Sequence, residues 1–289
     1  MVRFFFRFLF LVFVLVAVVV LWAYFAAWRS PETFSISADR DNSYALMSWQ
    51  DYEVKAAEIL PPYILQKEPF NEGAAFFFGA EHGRLPGDSQ YRLIQKTWDE
   101  FGPTVALVEG RLGFLFPYFE DPTEKFGEPG FVAQLARRND VPHYSWELSK
   151  SDEIALLREK YSKEQVALFI ILRPYWGSVE TIRLPGADDI VTGLIEDRGT
   201  RQGIEGAISS VADIDRIWER DFPDAADWRD QSFGLALPGY FSGLFVDANN
   251  IRDTHMLNTV MELTENGERV YVAAGWSHVV RIQPVLENY

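Results

Sequence analysis

Two of the four histidines in the chain, His82 and His278, stand in the same local pattern, Gly-x-x-His, directly after a run of apolar residues. The glycine lets the backbone turn sharply and lets a ligand approach, and a neutral imidazole serves as a base or a metal ligand. Glu109 follows another apolar run, which lies between the two patterns. Two imidazoles and a carboxylate are groups with which hydrolases activate water, either directly or on a divalent ion.

Further polar residues lie near the ends of predicted strands and helices: Glu81, Glu147, Arg252 and Asp253. Arg252 also suits an ordinary ion pair, and Asp253 suits the first turn or the N-cap of a helix. His255 is expected on a helix surface and His143 within a strand, so neither receives a functional role.

An alternation of strands and helices would bring these candidates together. Continuous apolar runs at 74–79, 104–108 and 269–274 predict buried strands, and residues 141–146 are a further candidate strand. Helices are predicted between and before them, at 89–101, 131–139 and 252–266, the last followed by Gly267. This order implies parallel pairing with right-handed crossovers, and ligands bind beyond the carboxyl ends of such strands. His82, Glu109 and His278 all follow such ends.

The rest of the body has a different composition. Residues 31–73 form a membrane-proximal segment with four prolines and one predicted helix within 43–60. Residues 151–245 are mostly helical in pattern, with helices expected near 164–172, 187–196 and 211–220. We therefore predict an α/β fold over 74–289, with a central mostly parallel sheet flanked by helices, a largely helical insertion at about 151–245, and one preceding transmembrane helix.

That transmembrane helix is predicted within residues 1–30. Residues 8–28 carry no charge, and a helix of this length spans roughly 30 Å, the thickness of the hydrocarbon core of a bilayer. Trp22, Tyr24 and Trp28 lie toward its far end, where an aromatic belt is expected. The alternative is a cleaved signal peptide, which normally has a shorter apolar region and an Ala-x-Ala site that this segment lacks.

The arginines around the span predict its orientation. Arg3 and Arg7 precede it and only Arg29 follows closely. Under the positive-inside rule, this distribution favours a single-pass protein with its N-terminus inside and an extracytoplasmic body.

Composition excludes several functional classes. The net charge of −15 argues against a nucleic-acid-binding protein, and 48% hydrophobic with 24% charged residues argues against disorder. The absence of cysteine excludes disulfides, thiolate catalysis and zinc–thiolate sites. Residues 112–126 are rich in aromatic side chains, which suit a hydrophobic cluster under a loop, a wall of the substrate site, or a contact with the bilayer.

Four motifs carry a resemblance to a known superfamily: Gly79-Ala80-Glu81-His82-Gly83, Ala106-Leu107-Val108-Glu109-Gly110, Arg252-Asp253-Thr254-His255-Met256, and Val270-Tyr271-Val272-Ala273-Ala274-Gly275-Trp276-Ser277-His278. Through them, residues 74–286 resemble the superfamily of erythromycin esterases, Tiki proteins and TraB/PrgY-like proteins. The chain departs from the esterase pattern because Glu81 directly precedes His82, and from the Tiki pattern because Asp253 replaces an asparagine.

The resemblance implies a membrane-anchored hydrolase that cleaves a peptide or ester bond. In a metal-dependent form, His82, Glu109 and His278 would bind Mn²⁺, Co²⁺ or Zn²⁺, with Glu81 or Asp253 as general base and Arg252 stabilising the oxyanion. In a metal-free form, His82 would activate water, Glu109 would orient it, and Arg252 with His278 would stabilise the developing charge. The alternatives are a non-catalytic, membrane-tethered binding or signalling domain and, more weakly, a haem-binding or iron-ligand-binding protein.

Overall fold

The computed structural model of the chain describes residues 2–37, 44–110, 112–178, 185–233 and 236–288. The chain divides into two compact units, one formed by Met1–Glu147 with Met256–Tyr289 and the other by Leu148–His255. The predicted helical insertion at 151–245 falls inside the second unit.

The first unit is built on a five-stranded sheet with the order β1-β2-β5-β3-β4. Its strands are β1 (Tyr63–Phe70), β2 (Gly73–Ala80), β3 (Val105–Val108), β4 (His143–Ser145) and β5 (Arg269–Gly275). β2, β5, β3 and β4 are parallel, and β1 pairs antiparallel with β2 at the edge. The predicted mixed α/β architecture with a mostly parallel sheet is confirmed.

The helices of the described residues are α1 (Val2–Ala26), α2 (Trp49–Ala56), α3 (Ser89–Phe101), α4 (Pro122–Phe126), α5 (Glu128–Arg138), α6 (Lys150–Lys160), α7 (Lys163–Ser178), α8 (Ala187–Arg198), α9 (Val211–Asp221), α10 (Tyr240–Glu265) and α11 (Trp276–Glu287). α2 is shorter than the helix predicted within 43–60, whose first residue lies outside the described residues.

β1 is a strand that the sequence analysis did not predict. Its residues alternate between half-buried and exposed up to Glu68, so it lacks the continuous apolar run of the central strands. Pro69 lies inside it, and proline is tolerated there because an edge strand leaves one row of N–H groups outside the ladder. The segment predicted as membrane-proximal therefore contributes a strand to the sheet.

The continuous apolar runs fill both faces of the sheet. On one face of β2, Ala75 and Phe77 pack in a cluster with residues of α11 and of the last turns of α10. On the other face, Phe76 and Phe78 pack in a cluster with α3 and α5. A fully buried phenylalanine contributes about 1.5–3 kcal/mol relative to an exposed one, which explains why these strands show no polar alternation.

The strand order brings three chain segments to one edge of the sheet. β5 lies between β2 and β3, with Ala80 opposite Gly275 and Val108 opposite Ala273. The segments that follow these three strands consequently leave the sheet side by side. They carry His82, Glu109 and His278.

Two helices differ from the prediction in ways that affect the candidate residues. α10 begins at Tyr240, twelve residues before the predicted start at 252, so Arg252 and Asp253 lie in a helix interior and not at its N-terminus. Both are buried. α11 begins directly after β5, so His278 stands in the first turn of a helix.

α1 contains one segment, Phe6–Ala26, that is long and apolar enough to cross a membrane, with a mean hydropathy of 2.9 and none of it buried in the protein. The predicted span is thus present as a helix, although it ends before Trp28. Trp28 instead forms an antiparallel bridge with Leu115.

The second unit has its own hydrophobic core. Trp176, Trp218 and Phe241 lie at its centre, with ring centroids 4.8 to 6.0 Å apart. α7 was predicted to end before Pro174, but it continues through this proline to Ser178.

Candidate functional site

His82 forms a close pair with a buried carboxylate. It lies two residues beyond the end of β2, and its Nδ1 is 2.5 Å from Oε1 of Glu128. The side chain of His82 is 66% exposed, whereas that of Glu128 is 2% exposed. A carboxylate accepts hydrogen bonds, so Nδ1 of His82 is the donor in this pair, and Nε2 lies on the opposite side of the ring. The pair therefore combines a mostly exposed imidazole with a buried carboxylate.

The backbone explains how Glu128 reaches this position. Glu128 is the first residue of α5, and Gly127 before it has a φ of +67°, which favours glycine. A Cβ at Gly127 would lie 2.6 Å from the carbonyl oxygen of Gly83, so glycine is needed for the start of α5 to approach the His82 loop. The positive end of the helix dipole favours a carboxylate there and offsets part of the cost of burying it.

The helix that follows β2 holds the His82 loop in place. The Tyr91 hydroxyl donates to the carbonyl of Gly83 at 2.6 Å, and the Gln90 side chain donates to the carbonyl of Glu81 at 3.0 Å. Burial and the nearby Glu128 carboxylate raise the pKa of Tyr91 to about 12. Tyr91 therefore remains protonated, and able to donate this hydrogen bond, near neutral pH.

A second pair lies at the end of β5. Oε2 of Glu109 accepts a hydrogen bond from the backbone N–H of Gly275 at 2.6 Å, and Oε1 lies 3.8 Å from Nε2 of His278. The His278 ring contacts Trp146 edge to face at 5.3 Å, and the Trp146 indole N–H donates to the carbonyl of Ala273. His278 is thereby fixed between a carboxylate and an aromatic wall.

Gly275 connects the two pairs. A Cβ built on this glycine would lie 2.9 Å from Nε2 of His82 and 3.5 Å from Oε2 of Glu109. Nε2 of His82 and Oε2 of Glu109 therefore both lie close to the Cα of Gly275, on the side where a Cβ would stand. The structure brings together three of the predicted residues, His82, Glu109 and His278.

The fourth member, Glu128, was not predicted. The expected helix began at residue 131, which left Glu128 in a loop. The signal available in the sequence was Gly127-Glu128-Pro129 between the second and third predicted strands, since glycine followed by an acid and a proline is typical of a helix start.

The remaining predicted residues belong to neither of the two pairs. Glu81 is exposed, and Glu147 is buried, with its backbone carbonyl accepting a hydrogen bond from Thr33. Arg252, Asp253 and His255 belong to the second unit, where all three are buried in α10.

His143, which received no predicted role, is the first residue of β4. Burial, together with the charge of Arg137, lowers its pKa.

A cavity opens beside the first pair. It has a volume of about 380 Å³, and its walls include His82, Arg84, Phe126 and Glu128. Cavities of roughly 300–1,000 Å³ are the size that small organic ligands occupy. Arg84, which is exposed on the wall, supplies a positive charge next to the imidazole.

The predicted metal ligands are His82, Glu109 and His278. Two imidazoles and a carboxylate are donor types that Mn²⁺, Co²⁺ and Zn²⁺ accept. Across the described part of the chain, however, no group of three or more His, Cys, Asp or Glu side chains is arranged to hold a metal ion. Nδ1 of His82 and Oε2 of Glu109 already have hydrogen-bond partners. We therefore derive no step through a metal, and metal dependence stays a prediction.

Comparisons with protein-family models, curated proteins and solved structures found no match to this chain. The site is consequently interpreted from its own geometry.

Proposed function

We propose that this protein is a membrane-anchored hydrolase that cleaves an ester or peptide bond, with His82 as general base and Glu128 as the residue that positions it. The hydrogen bond between His82 and Glu128, at the wall of a ligand-sized cavity, is the observation that supports this proposal most strongly. A buried carboxylate behind an accessible imidazole is an arrangement by which hydrolases fix the tautomer and stabilise the imidazolium.

In the proposed reaction, Nε2 of His82 removes a proton from water while the oxygen of that water attacks the carbonyl carbon. The imidazolium that forms is stabilised by its hydrogen bond with Glu128. When the tetrahedral intermediate collapses, His82 returns the proton to the departing alcohol or amine. The products are an acid and the released group, and His82 is again neutral.

Glu109 and His278 form the second half of the proposed site. The Glu109 carboxylate holds the Gly275 backbone and lies 3.8 Å from Nε2 of His278, and in the proposed reaction the His278 ring donates a hydrogen bond to the oxyanion. Such a donor, largely withdrawn from water, stabilises the oxyanion more strongly than it would in bulk solvent. Arg84 on the cavity wall favours substrates with a negatively charged or strongly polar group.

The experiment is a screen of ester and peptide substrates with the detergent-solubilised full-length protein, followed by substitutions at the first pair. We expect His82→Ala to lower kcat by about 10²–10⁴-fold, the usual contribution of a general base. Glu128→Gln should lower kcat by ~10²-fold or more with KM nearly unchanged, because the amide can accept the bond but cannot stabilise the imidazolium.

Glu124→Gln is the matched control, since Glu124 is an exposed acid in the adjacent helix α4. It should leave kcat unchanged. If the His82 and Glu128 variants keep both their fold and the function of the protein, the hydrolase proposal is wrong and the non-catalytic binding or signalling domain is favoured.

The metal-dependent form of this hydrolase is the second candidate, and one observation favours it. Nε2 of His82 and Nε2 of His278 both lie near the Glu109 carboxylate. Elemental analysis of the purified protein and assays after chelation separate the two forms. Bound Mn, Co or Zn together with chelator-sensitive activity would support the metal-dependent form, and activity that survives complete chelation would support the metal-free form.

A further inference from the structure

The segment between Glu109 and Glu128 carries a group of exposed aromatic side chains that the proposed mechanism does not use. Tyr118 is 67% exposed and Phe119 is 80% exposed, and Phe114 beside them is also exposed. Large apolar side chains exposed together usually mark a surface with a partner. We call residues 112–119 the aromatic loop.

The aromatic loop is fixed to the end of α1. Trp28 and Leu115 exchange two backbone hydrogen bonds, of 2.8 and 3.2 Å, and the Ser30 hydroxyl accepts a bond from the N–H of Gly113. These bonds join the chain leaving α1 to the middle of the loop. The loop is therefore held at the level where α1 ends.

A direct contact sets the depth of the loop along α1. The Tyr118 ring lies 5.1 Å from the ring of Trp22, which stands about one turn before the end of α1 at Ala26. Trp22 falls inside the segment that is apolar enough to cross a membrane. When α1 is inserted in a bilayer, Tyr118 therefore cannot remain in bulk water and must enter the same layer as Trp22.

The surrounding charges match the boundary between lipid and water. Arg29 lies 4.8 Å from the Tyr24 ring, and Arg137 lies 4.8 Å from the Trp28 ring, so both guanidiniums are just beyond the end of the span. Aromatic rings at the headgroup level with basic side chains beside them are typical of interfacial anchors. The partner that fits this surface is the headgroup layer of a bilayer.

We propose that the aromatic loop is a second membrane contact, which enters the interface of the leaflet where α1 emerges and holds the carboxyl edge of the sheet against it. The contact itself requires only that α1 spans the membrane. A consequence rests on the proposed function. The aromatic loop lies between Glu109 and Glu128 of the proposed site, so the hydrolase would act on ester or amide bonds presented at the bilayer surface.

The test uses the absence of cysteine, which makes any introduced cysteine a unique labelling site. The full-length protein with Phe119→Cys carries a fluorescent label and is reconstituted in phosphatidylcholine vesicles with nitroxide-labelled lipids. Glu72→Cys is the control, because Glu72 is exposed in the turn between β1 and β2. This turn precedes the N-terminal end of β2, about 25 Å along the strand from its carboxyl end.

We expect lipids with a nitroxide near the headgroup to quench the label at position 119 several-fold more than the label at position 72. An aqueous quencher such as iodide should show the reverse order. Equal accessibility of the two labels to iodide, with lipid quenching absent at both, would overturn the proposal.

A second measurement separates this proposal from the proposed function. Phe119→Asp should reduce hydrolysis of a vesicle-embedded long-chain ester by at least ~10-fold and leave hydrolysis of a soluble short-chain ester unchanged. If no ester is hydrolysed by the unsubstituted protein, the hydrolase proposal fails while the labelling result still decides the membrane contact. Equal loss on both esters would contradict surface presentation of the substrate.

Discussion

At the scale of single residues, the candidate site depends on a position that has no side chain. Gly275 lies between the two pairs, and its N–H is a partner of Glu109. Its backbone, with φ −55° and ψ 138°, is one that any residue adopts, so conformational freedom does not explain the glycine. The glycine is explained by the lack of space at this position, because a Cβ would lie 2.9 Å from Nε2 of His82.

This crowding gives a prediction for Gly275→Ala. The methyl group would displace the exposed His82 ring, which can move at little cost to the fold. We expect kcat to fall by about 10²-fold, since a displacement of roughly 1 Å at the reacting atom has effects of that size. The melting temperature should change by only a few degrees. Steady-state kinetics and thermal unfolding measured on the same preparation test both statements.

Gly87→Ala is the control, because a Cβ there would have no neighbour within 4 Å. It should change neither kcat nor the melting temperature. Full activity of Gly275→Ala would show that Nε2 of His82 is not the atom that takes the proton.

At the scale of elements, the α9 N-terminus shows how strongly local sequence determines structure. The Ser210 hydroxyl accepts a bond from the N–H of Asp213, and the Asp213 carboxylate accepts bonds from the backbone and the hydroxyl of Ser209. These bonds, the Ser209 hydroxyl first, lower the pKa of Asp213 to about 2 from its ordinary 3.8. This resembles the reciprocal capping box that favours helix initiation, except that Asp213 binds the N–H of Ser209, the residue before the N-cap.

The capping arrangement predicts a pH-dependent contribution to stability. The folded-state pKa of Asp213 is below its unfolded-state value, so the stabilisation is complete above about pH 4 and is lost as the pH falls toward about 2. Asp213→Asn should remove this part of the pH dependence, and Ser210→Ala should cost about 1 kcal/mol near neutral pH. Urea unfolding followed by circular dichroism at pH 7, 4 and 2.5 measures both.

Asp224→Asn, at an exposed loop position, is the comparison for the change in charge. The Asp213 variant should differ from the unsubstituted protein more at pH 7 than at pH 2.5. An equal difference at both pH values would mean that the Asp213 carboxylate does not act through its charge.

The elements also show what the sequence could and could not predict. β2, β3 and β5 were predicted because they are buried and rich in apolar residues. β1 was missed because an edge strand exposes alternate side chains and tolerates Pro69. The early start of α10 was missed because Asn249 and Asn250 suggest a loop, although helix packing overrides that local preference.

The candidate site, like the fold, could be predicted from the sequence only in part. The convergence of His82, Glu109 and His278 could be predicted, because parallel strands place their carboxyl ends at one edge. The partner of His82 could not be predicted in the same way. Glu128 reaches His82 only through the close approach of Gly127 to Gly83, a tertiary contact without periodicity in the sequence.

At the scale of the whole molecule, the proposed function depends on the side of the membrane on which the body would lie. Arg3 precedes the apolar segment, Arg7 lies at its start, and Arg29 follows it. The positive-inside rule predicts an internal N-terminus, so the aromatic loop would contact the outer leaflet. We expect the cysteine introduced by Glu72→Cys to react with a membrane-impermeant maleimide in intact cells. The cysteine introduced by Val2→Cys should react only after the cells are permeabilised.

The charges themselves provide the control for this orientation. Arg3→Glu combined with Arg7→Glu leaves Arg29 as the nearest basic residue to the span, so a fraction of the molecules should insert the other way. In that variant, labelling at position 72 in intact cells should fall and labelling at position 2 should rise. If, with Arg3 and Arg7 unchanged, position 72 is labelled only after the cells are permeabilised, the body lies inside. The proposed substrate would then have to lie in the inner leaflet.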